Sequence, residues 1–146
     1  LNMTRDVDSL PQMVQEGCIP PLIKLCAGAG SHDNKVLANA AQALRNISQH
    51  DSCRTVLVQE GAVQPLVQLC LKSIDGKVLI CAALALAGLT VQEFKAVESV
   101  AGVDALNALA RVEKTLGEHI PPYLSELLQE AIEALKPKAS FDNYYV

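Results

Sequence analysis

Apolar residues recur along this chain at helical spacing. Val36, Leu37, Ala40, Ala41, Leu44 and Ile47 fall three or four residues apart, in a stretch that Asp33 or Asn34 opens and Ser48 closes. That is the one-sided spacing of an amphipathic helix. Leu124, Leu127, Leu128, Ala131 and Leu135 repeat it over Tyr123 to Lys136, behind Pro121 and Pro122. Between these two lies Lys77 to Thr90, whose residues 78–87 are apolar throughout. A helix that is apolar on every side is buried between neighbours, so this one is expected at the centre. Shorter patterns fill the gaps. Ser9 to Glu16 reads as a helix with Ser9 as N-cap, stopped by Gly17, and Ile19 to Ala27 as a second with prolines in its first turn. Ser52 to Glu60, stopped by Gly61, and Val63 to Lys72 form the next such pair. Val91 to Val100, stopped by Gly102, and Asp104 to Leu116 form the third. The expected class is all-α.

The pattern is also periodic on a longer scale. Residues 14–26, VQEGCIPPLIKLC, return 44 positions later at 58–70 as VQEGAVQPLVQLC, with eight of thirteen positions identical. A weaker third copy starts at Val100. Helical periods of about 40 to 47 residues indicate a stacked solenoid. We divide the chain into units at 6–48, 49–90 and 91–138, the last degenerate or capping, followed by an irregular tail at 139–146. Asn2-Met3-Thr4 precedes Asn46-Ile47-Ser48 by the same 44 positions, so residues 1–5 read as the end of a preceding unit and the chain as starting in mid-repeat. An apolar face left by such a cut predicts self-association.

Composition narrows the function. The net charge is −4 and no basic run occurs, which argues against nucleic-acid binding. The five cysteines, Cys18, Cys26, Cys53, Cys70 and Cys81, form no Cys-x-x-Cys, and Cys26 and Cys70 hold the same place in two units. They read as small packing residues in a reducing compartment, cytoplasmic or also nuclear. No leader segment and no apolar run of about 18 residues is evident, so no membrane role is expected. His50 and Cys53 lack companions that would complete a metal site. Neither a catalytic set nor a phosphate loop with its Lys-Ser/Thr is present locally. We therefore expect no enzyme activity, metal or cofactor.

The Gly-x-x-x-Pro-Leu-x-x-Leu segment at 17–25 and 61–69, with Ala-Leu-Arg-Asn-Ile at 43–47, resembles the armadillo repeat. The resemblance implies a right-handed α-solenoid of about three repeats with three helices each. It also implies protein–protein interaction along a concave groove formed by the third helices. In peptide-binding members of the family an asparagine on the third helix holds the peptide backbone, and Asn46 occupies that place. Asn39, Gln42 and Asn46 share one helix face at i, i+3 and i+7. A shift of 42 puts Cys81, Leu84 and Gly88 at those positions, and a shift of 91 puts Glu130, Glu133 and Pro137 there, with Glu126 one turn earlier. The tryptophan that nuclear-import members pair with the asparagine is Gln42 and Leu84 here. The expected partner-binding residues are thus Asn39, Gln42, Asn46, Leu84, Glu126, Glu130 and Glu133. The expected partner is a protein or peptide segment with a basic end. The armadillo segment of a myosin-chaperone-like protein, the substrate-recruiting arm of a ubiquitin ligase and a structural spacer remain alternatives. Phe141, Tyr144 and Tyr145 crowd the tail, either as a docking motif or as an unstructured end.

Overall fold

A computed structural model describes residues 10–28 and 33–137. The Ser9 cap, residues 1–5 and the aromatic tail lie outside the described residues. Among the described residues the helical segments are, in order, α1 (Leu10–Gln15), α2 (Ile19–Ala27), α3 (Asn34–Ser48), α4 (Asp51–Gln59), α5 (Val63–Lys72), α6 (Gly76–Gln92), α7 (Phe94–Leu116) and α8 (Pro122–Leu135). A 3₁₀ turn at Gly117–His119 joins the last two. No strand occurs among the described residues.

Local chemistry explains the helix ends. Gly17 and Gly61 have φ of 89° and 85°. Their left-handed backbone lets the next N–H reach back over the helix end: Cys18 to the Met13 carbonyl at 3.2 Å, Ala62 to the Leu57 carbonyl at 3.0 Å. These six-to-one bonds satisfy carbonyls that the helix leaves open. Asp33 and Asp75 do the converse job at the N-termini of α3 and α6. Their carboxylates accept from the Val36 N–H at 2.9 Å and the Val78 N–H at 3.0 Å. Of the two candidates for the α3 cap, Asp33 takes the role.

The third unit divides into two helices close to the expected place, but not by a left-handed glycine. Gly102 does not take a left-handed conformation, and the break between the two helices falls one residue before it, at Ala101. The segment α7, Phe94 to Leu116, is two helices that meet at a kink at Ala101 (φ −158°, ψ 40°). α6 runs further than expected, to Gln92, so Glu93 alone separates it from α7. The glycine permits a left-handed stop but does not impose one. The break instead uses a non-helical alanine.

The helices stack in layers. α3, α6 and α8 pack side by side, as do α2, α5 and α7, with α1 against α4. A contiguous apolar core runs from Ile19 to Ile132. α6 is its axis: it touches α3, α5, α7 and α8, and every residue from Cys81 to Ala87 is buried. Burial pushes the Cys26 and Cys70 thiols up to about 12, so both stay protonated and act as packing groups.

Two arginines join neighbouring units through main-chain carbonyls. Arg111 of α7 donates Nη1 to the carbonyls of Cys70 at 2.8 Å and Ser73 at 2.9 Å, closing the C-terminal end of α5. Arg54 of α4 donates to the Ser48 carbonyl at 3.0 Å and pairs with Asp51, and its buried Nε lies 3.8 Å from the Glu93 carboxylate.

The left-handed turns can be tested by substitution. A Cβ at Gly61 would meet nothing within 4 Å, so only backbone strain opposes a side chain there. Gly61→Val is expected to cost about 2 kcal/mol and to lower Tm by about 6 °C. Gly102→Ala, where φ is not positive and the nearest atom is the flexible Glu98 Cγ at 3.3 Å, should change Tm little. Thermal melts of the two variants decide, and an unchanged Gly61→Val would refute the turn geometry.

Candidate partner-binding groove

The third helices α3, α6 and α8 lie side by side, and a groove follows their exposed face. Its wider stretch, about 650 Å³, is lined by Gln42 and Arg45 of α3, by Gly76, Lys77, Ile80, Cys81 and Leu84 of α6, and by Tyr123 of α8. A narrower stretch of about 260 Å³ continues past Ser48, Gln49, Arg54, Gly88, Gln92 and Leu127. Arg45 and Leu84 line both, so the two stretches join at these side chains. Leu84 is 7% exposed and forms an apolar floor at that junction.

The polar groups near the floor are arranged across the α3–α6 seam. The Cys81 thiol donates to Gln42 Oε1 at 3.4 Å, which leaves the Gln42 amide nitrogen available to donate outward. Cys81 is held above the usual thiol range, mainly by burial; Lys77 and Arg45 oppose the shift and Asp75 adds to it. Tyr123 is 60% exposed and forms the α8 wall.

The expected site residues divide between the groove and its surroundings. Gln42 and Leu84 line it. Asn39 and Asn46 are half-buried on α3 but are not among its lining residues. With one turn per 3.6 residues, Gln42 stands between Arg45 and the two asparagines, so Arg45 faces α6 and the asparagines lie on the opposite flank. Glu126, Glu130 and Glu133 are exposed on α8, outside both stretches, and Glu133 pairs with Lys136 at 3.1 Å. Such an exposed pair contributes little to stability. Arg45, Lys77, Ile80 and Tyr123 were missed from sequence. Lys77, Cys81 and Leu84 share a helix face at i, i+4 and i+7, a spacing that could have found Lys77.

Residues 7–49 match the Armadillo/beta-catenin-like repeat, a span that covers α1, α2 and α3. Those residues are an armadillo repeat. Helices α4 to α6 repeat its arrangement, with the same left-handed glycine and the same aspartate cap. The whole described chain is an all-α, armadillo-type solenoid. Armadillo repeats serve as protein-interaction scaffolds, and the groove lies on their third helices. Neither the curated proteins nor the solved structures contain a match to the chain. Among the described residues no group of His, Cys, Asp and Glu could hold a metal ion, and no helix is long and apolar enough to cross a membrane.

Proposed function

We propose that this armadillo chain binds a segment of a partner protein along the groove of α3, α6 and α8. The observation that supports it is the junction at Arg45 and Leu84, where three units contribute to one continuous surface. A segment laid there meets an amide at Gln42, an apolar floor at Leu84 and an aromatic wall at Tyr123. Such a mix holds an extended chain: the amide bonds the peptide backbone, and the apolar floor selects a side chain. Asn39 and Asn46 extend the amide stripe toward the side of α3 away from α6. Glu126, Glu130 and Glu133 offer negative charge to a part of the partner beyond the groove.

The test uses affinity capture with the intact chain as bait. Gln42→Ala combined with Asn46→Ala is expected to reduce recovery of bound protein about tenfold, as for the loss of two hydrogen bonds. Gln64→Ala combined with Asn107→Ala, both exposed on α5 and α7 away from the groove, should leave recovery unchanged. Circular dichroism checks that each variant is folded. Equal recovery by wild type and the Gln42/Asn46 variant would remove the amide stripe from the interface.

A further inference from the structure

The chain carries more acidic than basic residues, yet the wider stretch of the groove is edged by two cations. Arg45 comes from α3 and Lys77 from α6. Neither forms an ion pair among the described residues, whereas the other groove cation, Arg54, is committed to the Ser48 carbonyl, Asp51 and Glu93. The nearby carboxylate, Asp75, is engaged in capping α6 through the Val78 N–H. Ile80, Leu84 and the exposed Tyr123 line the same stretch.

From this we infer that the groove takes an acidic segment of a partner protein, one with an apolar side chain flanked by carboxylates. The inference rests on the groove proposed above and names the chemistry of its occupant. The apolar side chain enters between Ile80, Leu84 and Tyr123. The flanking carboxylates meet the Arg45 guanidinium of α3 and the Lys77 ammonium of α6. Arg45 can hold a carboxylate through two parallel hydrogen bonds, while Lys77 acts as a point charge on a flexible stem. The Gln42 amide nitrogen donates to the segment's backbone. A basic segment laid in the same place would face two cations, with no carboxylate among the described lining residues of that stretch. Charge thus selects the partner, and the apolar pocket provides the affinity.

Fluorescence anisotropy with three labelled peptides of equal length tests this. All carry the same apolar residues, with Glu, Gln or Lys between them. The Glu peptide is expected to bind the wild-type chain about tenfold more tightly than the Gln peptide, and its affinity should fall as salt rises. Arg45→Glu with Lys77→Glu should reverse the order, so that the Lys peptide binds best. Lys77→Gln alone changes an exposed side chain and keeps the fold; it should weaken the Glu peptide and leave the Gln peptide unchanged. If Glu and Gln peptides bind alike, and both weaken in Ile80→Ala with Tyr123→Ala, the groove stands and its acidic selectivity is overturned. If that apolar variant changes nothing, or no peptide binds, the groove itself is overturned. Binding of a single-stranded DNA oligonucleotide as tightly as the Glu peptide would overturn the assignment to a protein partner.

Discussion

Leu86→Ala should lower stability by about 2–5 kcal/mol and Tm by about 10 °C. Leu86 is fully buried near the middle of α6. Deleting three carbons there removes apolar burial and leaves a cavity. α6 is hemmed in by α3, α5, α7 and α8, so no side of it is free to move in and fill the space. The value should therefore fall toward the upper end of that range. The transition should also stay single, because one contiguous core links all three units. A stacked array is stabilised by its unit interfaces, and α6 takes part in most of them here. Urea titrations followed by circular dichroism give the free energy, and calorimetry gives the number of transitions. A loss below about 1 kcal/mol would mean that α6 is not packed as described.

Arg111→Ala is the second large effect, about 3 kcal/mol. One guanidinium nitrogen serves two carbonyls at the end of α5. Hydrogen bonds to a charged donor are worth about 1.5–3 kcal/mol each, and two that share a donor contribute less than their sum. Their loss leaves the Cys70 and Ser73 carbonyls without this donor. Arg111→Met separates the causes, since it keeps most of the apolar stem and removes the bonds. It should recover only a small part of the loss. Hydrogen exchange should quicken at the Ser73 amide, which bonds to the Leu69 carbonyl at 2.9 Å in the same turn. If Met restores full stability, Arg111 acts by packing alone.

Much of the fold was legible in the residues. α2, α3 and α5 begin and end where the sequence pattern placed them, because glycines, prolines and an aspartate punctuate those stretches. Each of these signals has a local cause: a left-handed backbone, a missing N–H, or a carboxylate over a helix end. In the third unit the place of the break was legible, since two helices meet at Ala101, but its geometry was not. Gly102 looks like Gly17 and Gly61, but a glycine only removes a steric barrier. Whether the chain uses that freedom depends on what α7 packs against, which is a tertiary property. The groove was half legible. Gln42 and Leu84 followed from the register between units, a matter of counting. Arg45 and Lys77 did not, since a charged residue on an exposed helix face looks the same from sequence whether it edges a groove or solvent. Asn39 and Asn46 had the right spacing, but spacing does not say which flank of α3 meets α6.

The two arginines that join the units have an evolutionary consequence. Arg54 and Arg111 both bond to main-chain oxygens of the preceding unit. Every residue type supplies such an oxygen, so positions 48, 70 and 73 can drift without breaking the joint. Across a set of related sequences, Arg111 should therefore show no correlated change with positions 70 and 73. The coupling between units would be invisible to methods that find contacts from paired substitutions, although it is among the stronger polar links in the molecule.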